Sequence, residues 1–301
     1  MIDWIKFRIV GESSRLFYLQ LINDESIRVD ARTGEVMTTI FKLNSAFKIT
    51  IRPNKYITVE GSIHKYYDGF NYSQFTFKNL KNAISNLCSE INVLPKDCKI
   101  YKMEVGLNLI NPILSFTTIY NNLLTFHGES FEPFKFRKKH FGLICKLQNY
   151  DLKIYSKSIQ LNKLSIYQAD EILRYEIRIK RSIHLKETGV HFLSDLQQLN
   201  KIAKLKTILL KPIDYFLFDD IMIQPSFDNL NSNILLLNGR NPKYWKNLKG
   251  ENPSMYHNKK RAFKMLLASY VMKSVKPIGE QVELKFTFSD AGTAIEIINS
   301  N

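Results

Sequence analysis

The chain has 301 residues, and its 43 Lys plus Arg against 28 Asp plus Glu give a formal net charge of +15. An excess of this size predicts a polyanionic partner. With 45% hydrophobic and 12% aromatic residues, the chain is too apolar for a disordered basic tail and is long enough for one large domain or two ordinary ones. No apolar run approaches the roughly 18 to 20 residues needed to cross a bilayer, so no membrane association is predicted.

Missing motifs exclude several enzyme classes. The sequence contains no GxxxxGK[ST], no HExxH, no GxGxxG after a predicted strand and no GxSxG, which argues against NTPases, zincins, dinucleotide enzymes and hydrolases of those types. Cys88, Cys98 and Cys145 are odd in number and lack CxxC spacing, so neither a disulfide framework nor a zinc ribbon is indicated. We therefore expect a soluble protein of the cytoplasm.

Alternating and helical patterns follow one another along the first two thirds of the chain. Alternation predicts strands, and apolar residues three or four positions apart predict helices. In chain order, the predicted elements are a strand at 5–9, a hairpin of strands 46–51 and 56–66, a helix at 77–87, a strand at 100–109, a helix at 113–126, strands at 141–147, 151–157 and 172–180, and a helix at 192–210.

This order predicts an α+β domain over residues 1–210, with a largely antiparallel central sheet and helices packed on one face. The other face of the sheet is expected to remain available for a ligand. Beyond residue 210, prolines and glycines interrupt short apolar pieces before a basic amphipathic helix at 257–273 and a possible last strand at 282–288. Residues 211–301 are therefore predicted to form an accessory, mainly helical region.

Four of the predicted strands can be sorted into a core row and a polar row, because successive side chains of a strand point to opposite faces. If these strands pair in one sheet, their polar rows share one surface. The polar rows contribute His64, Glu104, Tyr155, Lys157, Arg174 and Glu176.

This set of side chains has a specific chemistry. Two carboxylates and an imidazole form an oxygen- and nitrogen-rich site for Mg²⁺ or Mn²⁺, which polarises a phosphodiester as a Lewis acid. Tyrosine is a poor nucleophile at its usual pKa of about 10, but neighbouring lysines and a metal-bound phosphate favour its ionised form. Each residue alone is more often an ordinary surface residue, and their convergence favours covalent cleavage of DNA by Tyr155.

Two of these strands resemble segments of a known family. Residues 152–157, LKIYSK, and residues 173–180, LRYEIRIK, are similar to the strand of the nucleophile and the following strand in the gene II/X-type replication initiators of filamentous phages and related rolling-circle plasmids. Residues 103–105, MEV, and 61–65, GSIHK, resemble two earlier strands of the same family. The resemblance covers roughly residues 1–210 and implies the fold of the His-hydrophobic-His nucleases.

The resemblance also implies a function. Such a protein nicks one strand of a duplex origin, stays attached to the 5′ phosphate through a phosphotyrosine, leaves a 3′ hydroxyl as primer, and later rejoins the displaced strand. Tyr155 would be the nucleophile and Lys157 its electrostatic partner, with Glu104, Glu176 and His64 holding the metal. Origin DNA, both duplex and single-stranded, and the host helicase and polymerase would be the partners, in a bacterial cytoplasm.

The sequence departs from the wider superfamily at one of its motifs. Many of these nucleases have a His-hydrophobic-His pair where this chain has Ser62-Ile63-His64, so Glu60 or Glu104 would have to replace one imidazole. A second nucleophile is not assigned, because Tyr150 would lie on the opposite face from Tyr155.

DNA contacts are predicted from charged rows and basic runs. The predicted contacts are Lys153, Arg174 and Arg178 beside the site, Lys135, Arg137, Lys138 and Lys139 in one run, and Lys259, Lys260 and Arg261 in another. Two other functions remain open. One is a mobilisation relaxase with the same chemistry, and the other is a non-catalytic protein that binds single-stranded nucleic acid, which predicts exposed aromatic residues.

Overall fold

The structure is a computed structural model that describes residues 2–11, 26–29, 31–52, 56–73, 75–112, 114–136, 139–162, 171–219 and 229–269. A ten-stranded sheet dominates it, in the order β2-β3-β4-β5-β1-β6-β12-β11-β10-β9. All of its neighbouring strands are antiparallel. The strands are β1 (Ile2–Ile9), β2 (Ser26–Val29), β3 (Val36–Leu43), β4 (Phe47–Arg52), β5 (Tyr56–Ser62), β6 (Cys98–Ile110), β9 (Glu132–Phe136), β10 (Lys139–Lys146), β11 (Tyr150–Ser156) and β12 (Ile172–Ile179).

A second sheet and several helices complete the described fold. The small sheet has the order β13-β7-β8, with β7 at Leu123–Phe126, β8 at Glu129–Ser130 and β13 at Phe216–Phe218. The α-helices are α1 (Ile63–Asp68), α2 (Phe77–Glu90), α3 (Phe116–Asn122), α4 (Lys157–Asn162), α5 (Leu199–Leu210), α6 (Leu230–Gly239), α7 (Pro242–Glu251) and α8 (Pro253–Ser269). Short 3-10 helices lie at Pro95–Asp97, Ser182–Thr188, Leu193–Gln197 and Lys211–Tyr215. The predicted α+β fold with a largely antiparallel central sheet is confirmed.

The apolar rows read from the sequence lie in the core of the central strands, but members of the polar rows such as Glu104 and Glu176 are buried as well. Val105 of β6 and Tyr175 and Ile177 of β12 belong to the main hydrophobic core. Helix α5 packs over β6 and β12 on this apolar face. Because the helices cover this face, the polar rows of β6, β11 and β12 lie on the opposite one.

Three predicted elements end at different places in the structure. Strand β5 ends at Ser62, because the Ser62 hydroxyl accepts a hydrogen bond from the Lys65 amide and caps α1. The helix predicted at 113–126 is helical only in α3, because the following residues pair with β13 as strand β7. The helix predicted at 192–210 is a 3-10 turn followed by α5.

After residue 210 the structure describes a 3-10 turn, strand β13 and helices α6, α7 and α8. Trp245, Tyr256 and Phe263 form a second hydrophobic cluster with side chains of α6 and β13. Ile213 and Phe216, however, belong to the main core. The division at residue 210 stays a prediction, and the possible strand at 282–288 lies outside the described residues.

None of the described helices combines the length and apolar character that crossing a membrane requires.

Candidate active site

A cavity of about 380 Å³ opens on the polar face of the central sheet. Strands β6, β12 and β11 and helix α4 bring most of the predicted site residues to it, as the alternation predicts. Its lining includes Glu104, Lys153, Tyr155, Lys157, Glu176 and Arg178. We call it the sheet cavity.

Lys153 joins the two glutamates of the sheet cavity. Its Nζ lies 2.7 Å from Glu176 Oε1 and 3.3 Å from Glu104 Oε1. Arg178 Nε also donates to Glu104. The two glutamates are thus close enough for one cation to bridge them, and that cation is the ammonium of Lys153. Lys153, predicted as a DNA contact, is instead held by carboxylates.

Arg174 lies at the centre of the buried part of the network. Its side chain is 3% exposed, and its three nitrogens all donate: Nε to Glu176 Oε2 at 2.8 Å, Nη1 to Asn108 Oδ1 at 2.9 Å and Nη2 to Asp3 Oδ2 at 3.1 Å. The donors of Arg174 are thus used inside the protein in this arrangement, and its contact with DNA stays a prediction.

Asp3 belongs to this network and was missed by the sequence analysis. Its carboxylate accepts hydrogen bonds from Ser62 Oγ and, at 2.7 Å, from Asn71 Nδ2. Strict alternation with Ile5 would place Asp3 on the core face. The register of β1 against β6 shifts between Ile2 and Ile5, however, so that Asp3 and its neighbour Trp4 both line the cavity. No sequence pattern marks this shift.

The charges of the network balance. Burial alone would raise the pKa of Glu176, but Arg174 and Lys153 outweigh it and hold the pKa at about 2. Burial and the charge of Glu176 raise the pKa of Glu104. The network contains three acidic and three basic side chains and is neutral when all are ionised: Asp3, Glu104 and Glu176, with Lys153, Arg174 and Arg178.

The predicted ligands do not fit a Mg²⁺ or Mn²⁺ ion in this arrangement. A divalent cation would add two positive charges to a buried network that is already balanced, and Lys153 lies between the two carboxylates that would bind it. Within the described ranges, no three His, Cys, Asp or Glu side chains are grouped so that they could hold a metal ion.

His64 is not on a strand and does not line the sheet cavity. It lies in α1, is buried, and stacks on Phe75 with ring centroids 4.4 Å apart. Its Nε2 lies 3.0 Å from Asp68 Oδ2 and 2.8 Å from Ser73 Oγ. Burial lowers the pKa of His64 to about 4. The prediction of a surface imidazole beside the glutamates is wrong because β5 ends before residue 64.

Tyr155 lies at the inner wall of the sheet cavity. It is 8% exposed, and its ring makes edge contacts with Phe134 and Phe141 at centroid distances of 5.8 and 5.5 Å. Its hydroxyl donates to Glu176 Oε2 at 3.3 Å. Burial and the negative charge of Glu176 raise the pKa of Tyr155 well above its usual value. The expectation that lysines favour the phenolate is therefore wrong for this arrangement.

Lys157 begins α4 instead of ending the strand, and its ammonium reaches back into the cavity. It is 3% exposed, with Nζ 2.9 Å from Asn71 Oδ1 and 2.8 Å from Gln160 Oε1. Burial and Arg174 lower its pKa to about 8. Both of its hydrogen-bond partners are neutral amides, so its charge is not paired with a carboxylate by any of these contacts.

Two glycines make room for the site. Gly106 is opposite Glu176 in the sheet, and a Cβ on Gly106 would lie 2.5 Å from Glu176 Cβ. Gly142 is opposite Tyr155, and a Cβ there would lie 2.6 Å from Tyr155 Cβ. These contacts are too short for any side chain.

We expect Gly142→Ala to lower the free energy of unfolding by about 2 kcal/mol, because Tyr155 and Phe134 must both move. Urea denaturation measures this loss. Gly250→Ala is the matched control: a Cβ there meets no atom within 4 Å in helix α7, and it should stabilise the protein by about 0.5 to 1 kcal/mol. Equal effects of the two substitutions would contradict the close packing at Gly142.

Aromatic rings lie beside the charged groups. Trp4, Phe70 and Tyr72 line the cavity. Phe70 is partly exposed and stacks on Tyr72 with ring centroids 4.5 Å apart, while the guanidinium of Arg178 lies 5.9 Å from the Trp4 ring. Arg178 and these rings offer both a charge and stacking surfaces to a ligand.

The two basic runs that were predicted to contact DNA contain both exposed and buried side chains. Lys135, Lys259 and Arg261 are exposed, and their contact with DNA stays a prediction. Lys260 is buried: its Nζ lies 3.4 Å from the Tyr215 carbonyl oxygen, and burial and Lys264 lower its pKa to about 8. Lys260 is thus not exposed as its neighbours in the run are, and its contact with DNA stays a prediction. Arg137 and Lys138 lie outside the described residues, as does the side chain of Lys139.

Comparisons with known proteins give a likeness to solved structures. No protein-family model and no curated protein matches the sequence. Among solved structures, a rolling circle replication initiator protein from Geobacillus stearothermophilus is similar, with a TM-score of 0.41 and 12% identity over 83% of this chain and 95% of that chain.

Proposed function

We propose that the protein nicks one strand of DNA at a replication origin through Tyr155 and later rejoins it, as a rolling-circle replication initiator. One observation carries the proposal: the Tyr155 hydroxyl lies in a cavity with a hydrogen-bonded carboxylate, Glu176, and a buried ammonium, Lys157. A nucleophile, a proton acceptor and a cation for a phosphate are the groups that covalent phosphodiester cleavage needs.

The proposed step balances without further reactants. Tyr155 Oη attacks the phosphorus of the scissile phosphodiester, and its proton moves to Glu176 Oε2, the atom to which the hydroxyl already donates. The bond between phosphorus and the 3′ oxygen breaks, and that oxygen receives from Glu176 the proton that Tyr155 gave up and becomes the 3′ hydroxyl. The 5′ phosphate stays on Tyr155. Attack by a 3′ hydroxyl on this phosphotyrosine reverses the step and rejoins the strand.

The charges of the cavity support phosphate binding. The six-residue network is neutral, so the charge of protonated Lys157 remains to attract an anion. A phosphodiester carries one negative charge and would balance it. Because the pKa of Lys157 is about 8, we expect binding of the phosphate to weaken as the pH rises through that value.

The aromatic rings support binding of an unpaired strand. Phe70, Tyr72 and Trp4 are beside the charged groups, where the bases next to the scissile phosphate would lie. Stacking on aromatic rings holds unpaired bases without regard to their sequence. A duplex would have to open locally to make these contacts.

Tyr155→Phe should abolish nicking and the covalent adduct. The test incubates the protein with supercoiled plasmid carrying its own gene, with and without Mg²⁺, and measures relaxed circles and protein bound to DNA after denaturation. The loss of one hydrogen bond to Glu176 should cost only about 1 kcal/mol of stability.

Tyr150→Phe is the matched control for this test. Tyr150 is on the same strand but on the helix face of the sheet, so nicking should persist. An adduct that forms with Tyr155→Phe but not with Tyr150→Phe would overturn the assignment of the nucleophile.

A second candidate function is non-catalytic binding of single-stranded nucleic acid. The partly exposed stack of Phe70 on Tyr72 favours it, and so does the raised pKa of Tyr155, which opposes ionisation. The same assay separates the two functions. Binding of single strands without any relaxed circles from the wild-type protein would favour this second function.

A further inference from the structure

A second cavity, of about 280 Å³, lies on the helix-covered side of the central sheet. It is bounded by Ser182–Thr188, α5, Lys211–Tyr215 and the first residue of β11. Tyr150 reaches it from β11 on the face opposite to Lys153 and Tyr155, so this space is separate from the sheet cavity. We call it the far cavity. None of the residues placed in the proposed nicking step lines it.

Two stacked aromatic pairs line the far cavity. Tyr150 and His184 are parallel within 22° at a centroid distance of 4.6 Å, and His127 and Tyr215 within 28° at 4.0 Å. Burial lowers the pKa of His127 to about 4, so its ring is neutral near pH 7. The walls are therefore flat, uncharged rings, which suit a planar ligand.

The two pairs are parts of one site. His127, Tyr150, His184 and Tyr215 all line the same cavity. Tyr215 is 44% exposed, so its ring is within reach of a ligand from solvent.

Positive charge surrounds the aromatic rings. Lys204 and Lys211 line the cavity and are exposed, against one acidic side chain in the lining, Glu187. Behind Tyr215, the Lys260 ammonium lies 5.7 Å from the centre of its ring, and Lys264 Nζ lies 2.7 Å from the Asp214 carbonyl oxygen. The surroundings thus favour a ligand with negative charge.

We infer that the far cavity binds a single nucleotide, with the base against the aromatic rings and the phosphate toward Lys204 and Lys211. A planar, weakly polar body joined to an anion is the chemistry that both sets of residues recognise. The volume, near the lower end of the range for small-molecule sites, suits one nucleotide and excludes a duplex. This inference needs no cleavage of DNA and does not depend on the proposed nicking.

A nucleotide could come from solution or from an unpaired DNA strand, and a binding experiment distinguishes these sources. The purified full chain is titrated with dAMP and dTMP by calorimetry, and with a fluorescein-labelled thymidine decamer by anisotropy. Tyr215→Ala should weaken binding of the ligand that uses the cavity by about ten-fold, since stacking on one aromatic ring contributes about 1 to 3 kcal/mol per base.

Lys204→Gln and Lys211→Gln should weaken binding of the same ligand and flatten its salt dependence. Both lysines are exposed, so these variants should fold even if Tyr215→Ala does not. Tyr101→Ala is the matched control, because Tyr101 lies outside this lining, where its ring contacts Arg8.

The results of these titrations distinguish a site for free nucleotides, a site for an unpaired strand and the absence of either. Weaker binding of the mononucleotides by the cavity variants supports a site for free nucleotides. Weaker binding of the decamer alone supports a site for an unpaired strand. Unchanged affinities for all three ligands in Tyr215→Ala and in both lysine variants would overturn the inference, as would an equal loss in Tyr101→Ala.

Discussion

Replacing Lys153 with methionine is expected to create a divalent-cation site between Glu104 and Glu176. The ammonium of Lys153 now bridges these two carboxylates. Its removal changes the charge of the six-residue network from neutral to −1 and leaves two acids facing each other. Two unit charges about 4 Å apart near a protein surface interact by about 4 kcal/mol, so loss of this ammonium should tighten Mn²⁺ binding by at least about ten-fold.

The measurement is a titration with Mn²⁺ followed by electron paramagnetic resonance, which reports bound metal without any reaction. Lys157→Met is the matched control, because Lys157 lines the same cavity but its ammonium is held by the amides of Asn71 and Gln160. It should change Mn²⁺ affinity less than Lys153→Met does. Tight binding by the wild-type protein, unchanged in Lys153→Met, would show that a metal displaces the lysine and would restore the predicted metal site.

The alternation of the central strands was sufficient to predict much of this site. Because β6, β11 and β12 are regular and adjacent, the side chains of Glu104, Tyr155 and Glu176 could be assigned to one face from sequence alone. Each of them lines the sheet cavity. The fold class followed from the same regularity.

The parts of the site that the sequence did not reveal depend on irregular strand geometry and on which charged side chains pair with each other. Asp3 joins the network only because β1 shifts its register, and His64 leaves the surface because Ser62 starts a helix. Strand alternation carries no signal of either change. The partners of a charge are also set by the fold: Arg174 and Lys153 were read as DNA contacts because a sequence shows basic residues without the carboxylates opposite them.

Burial explains why the predicted ionisation of Tyr155 is wrong for this arrangement. On a solvated strand, two nearby lysines would favour its phenolate. In the structure, aromatic rings cover Tyr155, and a glutamate accepts its hydrogen bond. Nucleophilic attack by Tyr155 therefore requires transfer of its proton as the new bond forms, and this makes Glu176 the residue on which the proposed chemistry depends after Tyr155 itself.

Arg174→Met is expected to lower the free energy of unfolding by about 3 to 5 kcal/mol at pH 7, because it leaves Glu176 and Asp3 buried without their shared cation. Methionine keeps the bulk of the side chain, so the loss reports mainly the charge. Arg178→Met is the matched control. The Arg178 side chain is 45% exposed and forms an ion pair with Glu104, so its removal should cost about 1 kcal/mol or less.

The pH dependence gives the sharper test of this network. In the wild-type protein the pKa of Glu176 is held at about 2, below its usual 4.5, so the stability that it contributes is present above pH 4.5 and is lost as the pH falls toward 2. Without Arg174, only Lys153 still opposes the effect of burial on Glu176, so its pKa rises and the variant gains stability relative to the wild-type protein as the pH falls through that higher value. The difference in unfolding free energy between Arg174→Met and the wild-type protein should therefore shrink steadily from pH 7 to pH 4 in urea denaturation. A constant difference across this range would mean that Arg174 stabilises the fold by packing alone.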